Sequence, residues 1–139
     1  MSDIKSKKHV KSSWASHSSK VDKSWGVEHR WGCFGSIGAK LLIMEKGGKT
    51  SFKMHPLKNE VFYILSGKIL ATYGSEISLQ DPVISPMQQR TFTTGEILCV
   101  QSCCPYQLEA LEDSQIIETG DDNRDTVVYL DEESIKINE

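Results

Sequence analysis

Long hydrophobic runs are missing from this 139-residue sequence. No apolar stretch approaches the ~18 residues that cross a membrane as a helix. The N-terminal residues also lack the apolar core, roughly 7–15 residues long, that a secretory signal carries. We therefore expect no membrane partner and a soluble, cytoplasmic protein.

Cysteine pairs with metal-binding spacing are also absent. The four cysteines are Cys33, Cys99, Cys103 and Cys104, and no two of them have C-x2-C spacing. This pattern disfavours both a structural zinc site and the disulfide framework of a small secreted domain. We expect reduced thiols, with Cys99 buried and inert.

Helix signals are scarce as well. No segment of about a dozen residues repeats apolar side chains at positions i, i+3, i+4 and i+7, whereas short apolar or alternating runs recur between turn residues. Many short strands closed by glycine turns favour an all-β barrel or double-sheet jelly roll. The runs predict strands at residues 37–45, 50–55, 61–66, 68–73, 90–93, 97–101, 106–110, 115–118 and 126–130.

Charge is distributed unevenly along the chain. Residues 1–24 contain six lysines and two aspartates, whereas residues 112–139 contain ten acidic residues against Arg124 and Lys136. The basic, serine-rich start is of a kind that contacts nucleic acid or membranes, but we interpret it as a solvated arm and expect no nucleic-acid partner. We predict a flexible arm at 1–23, a single domain at 24–133 and a tail at 134–139.

One stretch combines a histidine and a glutamate with a distinctive spacing. From Gly47 to Gly67 the chain reads G-x5-K-x-H-x4-E-x6-G, with Lys53, His55 and Glu60 at the three central positions. This pattern resembles the first cupin motif, G-x5-H-x-H-x3,4-E-x6-G, with a lysine in place of the first histidine. The resemblance implies an all-β fold, a single-domain cupin that forms a double-stranded β-helix or jelly-roll barrel.

The second cupin motif, G-x5-P-x-G-x2-H-x3-N, matches less well. Gly95 is in place, but Gln101 stands at the proline position, Cys103 at the glycine position and Tyr106 at the histidine position. The resemblance therefore covers the first motif better than the second.

A divalent metal is the cofactor that the cupin resemblance implies. Because residues two apart on a strand share a face, the side chains at positions 53 and 55 point into the barrel, toward a glutamate on the next strand. His55 and Glu60 are candidate ligands for zinc, iron, manganese or nickel, with Tyr106 or His29 as a further ligand. The alternative is that the metal is absent and that Lys53 neutralises Glu60.

Among cupins, the chain resembles the type II mannose-6-phosphate isomerase domain. That group commonly has glutamine, histidine and glutamate at the spacing of Lys53, His55 and Glu60. It also has a "PWG" element, like "SWG" at residues 24–26, and a terminal "D-x-V-R-L-x-D", like "DTVVYLDEE" at residues 125–133. Tyr129 stands where the relatives have an arginine.

The resemblance implies a small-molecule ligand, such as a sugar phosphate or related polyol, in the barrel interior. An enzyme of this kind would interconvert an aldose and a ketose, with Lys53, His55 and Glu60 as candidate catalytic residues. A metal or the lysine would polarise the carbonyl group. Candidate ligand-binding residues are Phe62, Tyr106 and Tyr129, and Phe62 is expected to share the inward face of its strand with the glutamate.

Two other functions stay open at this point. The first is a non-catalytic binding or dimerisation module, because one barrel fold hosts many functions. The second is a metal-dependent oxygenase. Such an enzyme holds its metal through two histidines and a carboxylate, and the two motifs do not supply that set of ligands. In each case we expect a homodimer formed through edge strands or strand exchange.

Overall fold

The computed structural model describes residues 10–121 and 127–134, in which eleven strands form two antiparallel sheets. Within these ranges there is no α-helix, and no helix has the length and hydropathy of a membrane span. The elements are β1 Ser19–Lys23, β2 Gly26–Phe34, β3 Ile37–Met44, β4 Lys53–Met54, β5 Glu60–Ser66, β6 Lys68–Tyr73, β7 Gln88–Thr93, β8 Ile97–Val100, β9 Tyr106–Ala110, β10 Ser114–Asp121, β11 Val128–Tyr129 and a 3-10 turn at Glu132–Ser134.

The two sheets interleave strands that are distant in sequence. The six-stranded sheet has the order β1-β2-β3-β10-β5-β8, and the five-stranded sheet has the order β11-β4-β9-β6-β7. Because β10 lies between β3 and β5, a strand from late in the sequence completes the sheet that the first strands begin. This is the double-sheet jelly roll that the strand pattern predicted.

The hydrophobic core lies between the two sheets. Residues of β5 alternate between a buried set, which includes Phe62 and Ile64, and an exposed set, which includes Tyr63 and Leu65. Alternation of this kind directs every second side chain inward. Other buried members of the core are Trp25, Leu42, Met44, Ile69, Phe92, Leu98, Val100, Tyr106, Leu108 and Ile116.

The N-terminal strands are the part of the fold that the sequence pattern did not indicate. β1 lies within the segment interpreted as a flexible arm, where it pairs with β2 along its whole length. β2 shows no apolar alternation because its inward side includes Glu28, a buried charged residue. Residues 1–9 of the predicted arm, 122–126 of the predicted domain and 135–139 of the predicted tail lie outside the described residues.

The prediction of a buried Cys99 is wrong. β8 directs Leu98 and Val100 into the core, so Cys99 and Ile97 face outward, and the Cys99 thiol is exposed. The pattern correctly grouped Ile97 with Cys99 on one face, but that face is the outer one.

Gly67 forms the turn between β5 and β6, and its position admits no side chain. Its φ is +92°, and an added Cβ would lie 2.2 Å from Oγ of Ser114 and 2.6 Å from the carbonyl oxygen of Asp113. Gly47, at the other end of the first motif, has a similar φ of +88° but no neighbouring atom within 4 Å of an added Cβ. The two glycines thus share a backbone conformation but differ in the space around them.

These two positions give a matched pair of substitutions. We expect Gly47→Ala to lower the free energy of unfolding by about 1–2 kcal/mol, the cost of left-handed backbone for a residue with a Cβ. Gly67→Ala should lose about 1–3 kcal/mol more, because the chain must shift to admit the methyl group. Urea denaturation measures both variants, and equal losses would contradict the steric role of Ser114.

Candidate functional site

Side chains of the first motif meet at a small cavity inside the barrel, with a volume of about 50 Å³. Five of the seven predicted site residues line it, namely Lys53, His55, Glu60, Phe62 and Tyr106. The strand register explains this grouping, since β4 places Lys53 opposite Tyr106 of β9 while Glu60 begins β5.

Two predicted site residues lie away from the cavity. His29 follows Glu28 on β2, and because Glu28 is buried and lines the cavity, His29 is on the opposite face of the strand. Tyr129 pairs with Lys53 through the backbone, but its side chain is 67% exposed. The structure therefore does not bring His29 or Tyr129 to the other candidates.

Glu60 is almost completely buried, and both of its carboxylate oxygens are engaged. Its Oε1 accepts a hydrogen bond of 2.9 Å from the Tyr106 hydroxyl and lies 3.4 Å from Nε2 of His55. Its Oε2 lies 3.4 Å from Nζ of Lys58. The cation in ion-pair contact with Glu60 is therefore Lys58, whereas the ammonium of Lys53 lies over the Tyr106 ring, 5.9 Å from its centroid.

Further charged side chains, which the sequence motifs did not indicate, extend this site into a row of alternating positive and negative groups. Nζ of Lys58 lies 3.7 Å from Oε2 of Glu118, and Nζ of Lys40 lies 3.8 Å from the same oxygen. Lys40 also lies 3.6 Å from Oε1 of Glu28, whose other oxygen accepts a hydrogen bond from Arg30. We call Glu28, Lys40, Lys58, Glu60 and Glu118 the charge network.

The carboxylates of the charge network differ in their affinity for protons. Burial, followed by the neighbouring Glu60 carboxylate, raises the pKa of Glu118 to about 7, against the opposing effect of Lys40 and Lys58. Burial also acts on Glu28, but the hydrogen bond from Arg30 and the charge of Lys40 outweigh it, so the pKa of Glu28 is lowered. Of Glu28 and Glu118, Glu118 is thus the one whose pKa lies near neutral pH.

The cavity also changes the titration of the two residues that replace histidines of the cupin motifs. Burial, and then the Glu60 carboxylate, raise the pKa of Tyr106 well above its usual value. Burial lowers the pKa of Lys53, and the charges of Glu118 and Glu60 partly offset this effect. Tyr106 is therefore a neutral hydrogen-bond donor rather than a phenolate.

The described residues do not fit the metal centre that the motif resemblance implies. Within the described ranges, no group of three or more His, Cys, Asp or Glu side chains is arranged to hold a metal ion. The ammonium of Lys58 contacts both Glu60 and Glu118, and the neutral Tyr106 phenol is a poor ligand. The Lys58 ammonium thus offsets part of the negative charge of Glu60 and Glu118.

A larger groove of about 980 Å³ adjoins the cavity. Lys40 lines both spaces, so the two adjoin at this side chain. Lys58 lines the groove, and its Nζ lies 3.4 Å from Oε2 of the cavity residue Glu60. Trp14 packs edge-on against Phe34, with ring centroids 4.9 Å apart, and so brings the segment before β1 to the groove wall. This segment lies in the predicted solvated arm, and no pattern in the sequence indicated the groove. Its wall also includes His17, Arg30 and Trp31.

No family model matches the sequence, and no curated protein is similar to it in sequence. Solved structures are nevertheless similar in fold. A formate complex of oxalate decarboxylase from Lactobacillus farciminis matches with a TM-score of 0.67 at 9% identity, over 81% of this chain and 34% of that one. The chain thus spans about a third of the length of that protein.

Two further solved structures show the same likeness. An oxalate decarboxylase from Bacillus subtilis, which has Mn(II) centres, matches with a TM-score of 0.68 at 13% identity, over 81% of this chain and 30% of that one. KdgF from Halomonas sp. matches with a TM-score of 0.58 at 16% identity, over 71% of this chain and 80% of that one. At these identities the likeness shows the fold, which is a single-domain cupin barrel.

The raised pKa of Glu118 predicts a stability that depends on pH. Between the ordinary value of 4.5 and about 7, the folded protein retains a proton that the unfolded chain has lost. The free energy of unfolding should therefore fall as the pH rises through this window, by an amount on the order of 3 kcal/mol, and then level off.

The matched variants are Glu118→Gln, which removes the titrating group, and Glu45→Gln, which removes an exposed carboxylate. Urea denaturation at several pH values between about 4.5 and 8 measures the slope. Glu118→Gln should flatten it, and Glu45→Gln should leave it unchanged. A slope that survives in Glu118→Gln would assign the proton to another group.

Proposed function

We propose that the protein is a small-molecule-binding cupin whose ligand, an anionic or polyhydroxylated metabolite, lies in the groove and reaches the barrel cavity. The observation that supports this is that Lys40 lines both spaces and that Lys58 of the groove contacts Glu60 of the cavity. The cavity, at about 50 Å³, accepts only a small chemical group. Ligand pockets commonly measure about 300–1,000 Å³, a range that includes the groove.

The charges around the groove support an anionic ligand. Arg30, Lys40 and Lys58 line it, and no Asp or Glu is among its described wall residues. The side chain of Arg30 is half-exposed, so the guanidinium edge that does not contact Glu28 is free to meet a ligand. Guanidinium groups bind phosphate and carboxylate through two parallel hydrogen bonds. We therefore assign Arg30 to the anionic group of the ligand.

Within this class we propose a sugar phosphate as the ligand and aldose–ketose isomerisation as the reaction. That reaction moves a proton from one carbon to its neighbour, while the carbonyl oxygen gains a proton and the adjacent hydroxyl loses one. Glu118, with a pKa of about 7, suits the transfer of the carbon-bound proton. Lys53 suits the polarisation of the carbonyl oxygen, because its ammonium lines the same cavity.

A non-catalytic binding module is the second candidate, and one observation favours it. Glu28, Glu60 and Glu118 all have cationic partners within 4 Å, so each carboxylate of the charge network has a partner without a ligand. A network complete in this way is suited to holding the barrel together. As a binding module, the protein would bind its ligand in the groove without converting it to a product.

We propose that the Lys58 ammonium supplies the positive charge that a divalent metal would otherwise supply. The metal content of the purified protein tests this proposal. Protein purified without chelator should contain no stoichiometric divalent metal, because a bound cation would lie against an ammonium group. Elemental analysis of the wild type and of His55→Ala, with His17→Ala as the control, measures this. Stoichiometric zinc, iron, manganese or nickel that is lost only in His55→Ala would overturn the proposal.

Ligand binding is tested by thermal stabilisation. Hexose phosphates at about 100 times their Kd should raise the free energy of unfolding by about 2.7 kcal/mol, which raises Tm by several degrees. Trp31→Ala should abolish this gain because it removes a groove wall, whereas Thr91→Ala on the distant strand β7 should keep it. Sorbitol and inorganic phosphate separate recognition of the polyol from recognition of the anion. No stabilisation by any of these compounds would contradict the proposal.

The same preparations separate the two candidate functions. An isomerase should convert a stabilising hexose phosphate to its ketose or aldose partner, as followed by NMR, and Glu118→Gln should retain binding but lose turnover. Stabilisation without conversion in the wild type would favour the binding module.

A further inference from the structure

A β-bulge interrupts β2 where this strand reaches the groove. Arg30 pairs with Lys40 of β3. Gly32 pairs with the adjacent residue of β3, Ala39, so Trp31 is an extra residue between two neighbouring pairs. An extra residue of this kind changes the direction of a side chain, and bulges are common beside functional sites.

The bulge brings Arg30 and Trp31 to the same side of the strand. In a regular strand two consecutive side chains lie on opposite faces, yet both of these side chains line the groove. Arg30 shares its face with Glu28, to which it donates a hydrogen bond. The Trp31 indole therefore lies next to the guanidinium group that we assign to the anionic group of the ligand.

Close packing of β2 against β3 holds the bulge in place. A Cβ added to Gly32, the residue after Trp31, would lie 2.5 Å from Cβ of Ala39 and 2.6 Å from its backbone nitrogen. A glycine within a strand often marks such a close approach of another backbone. Ala39 is itself buried. The position of Trp31 is thus set by contacts of the backbone beside it.

The indole of Trp31 is accessible to a ligand. Trp31 is 54% exposed, although tryptophan is on average a highly buried residue. The other two large aromatic residues of the groove, Trp14 and Phe34, pack against each other. Among the residues that the structure describes, by contrast, no aromatic ring packs against Trp31. The groove therefore contains an open aromatic surface beside a cation.

We propose that Trp31 determines specificity by stacking against the closed ring of a sugar phosphate whose phosphate group binds Arg30. A pyranose ring presents C–H groups on its faces, and these groups are apolar and slightly positive. They pack favourably on the negative face of an aromatic ring. This inference rests on the proposed function, because the sugar ring and the phosphate group belong to the same ligand.

The rest of the groove wall suits the hydroxyl groups of such a ligand. It includes Ser16, Ser18 and Ser19. A serine hydroxyl both donates and accepts hydrogen bonds, as a sugar hydroxyl does. A nucleobase could also stack on the indole, but it has no row of hydroxyl groups to match these serines. A cyclic sugar phosphate is therefore the occupant that the described wall favours.

Two ligands that differ mainly in ring closure test the proposal. Glucose 6-phosphate forms a ring, whereas sorbitol 6-phosphate has the same phosphate group on an open chain. Isothermal titration calorimetry of the full chain measures both. The Kd of glucose 6-phosphate should be at least about fivefold lower than that of sorbitol 6-phosphate, because only the ring can stack on the indole.

Three variants locate this preference. Trp31→Leu keeps an apolar wall but removes the aromatic face, so the Kd values of the two ligands should become equal. Trp31→Phe retains an aromatic face and should retain the preference. Trp14→Leu makes the same change at the other groove tryptophan and should also retain it. Circular dichroism and urea midpoints confirm that each variant is folded.

Tryptophan fluorescence supplies a second measurement. Trp14→Leu leaves Trp31 as the exposed tryptophan, because Trp25 is buried. Saturating glucose 6-phosphate should shift the emission of this variant to shorter wavelength as the indole loses contact with water. Saturating sorbitol 6-phosphate should shift the emission less. An emission that glucose 6-phosphate leaves unchanged at saturation would contradict stacking.

The outcomes separate this inference from the proposed function. If neither ligand binds the wild type, both are overturned. Equal binding of the two ligands to the wild type, or a preference that survives in Trp31→Leu, would overturn the inference alone. Tighter binding of adenosine monophosphate than of glucose 6-phosphate would assign the indole to a nucleobase and would overturn the inference as well.

Discussion

The contact of Lys58 with both Glu60 and Glu118 is the interaction on which the interior of this barrel depends. Two carboxylates buried side by side repel each other and lose their hydration, and an ammonium within 4 Å of both offsets these costs. Removal of the lysine would leave the pair without this cation. The raised pKa of Glu118 shows that even with the lysine in place the compensation is incomplete. The site therefore holds a proton that it can release near neutral pH.

The charge network also explains the unusual distribution of polarity in the larger sheet. Its inner face must supply Glu28, Lys40 and Glu118 to the cavity, so fewer inward positions are left for apolar residues. The outer face carries Tyr63, Ile117 and their neighbours instead. The barrel therefore has charged side chains inside at one end and apolar side chains on part of its outer face.

The fold and part of the site were predictable from the sequence because both depend on local spacing. Glycine turns and short apolar runs indicated the strands from β3 onward, and the motif spacing indicated His55 and Glu60. Lys58 was not predicted because it lies in the loop between β4 and β5. In a loop, the spacing of residues along the sequence does not indicate which way a side chain points. Glu118 had a signal, since it shares the inward face of β10 with Ile116. The contacts among β2, β3 and β10 depend on long-range pairing that no local pattern contains.

The proposed replacement of a divalent metal by the Lys58 ammonium would change the chemistry that the site favours. The ammonium carries one positive charge and three fixed donors, whereas a metal ion carries two charges and offers open coordination positions. It therefore does not lower the pKa of a bound water as a metal does, and it polarises a carbonyl only through hydrogen bonding. Such a site suits ligands whose protons are already labile, because Glu118 can accept them near neutral pH. Under the proposed replacement of the metal by Lys58, Glu118 is the group of the site that can exchange a proton with a bound metabolite.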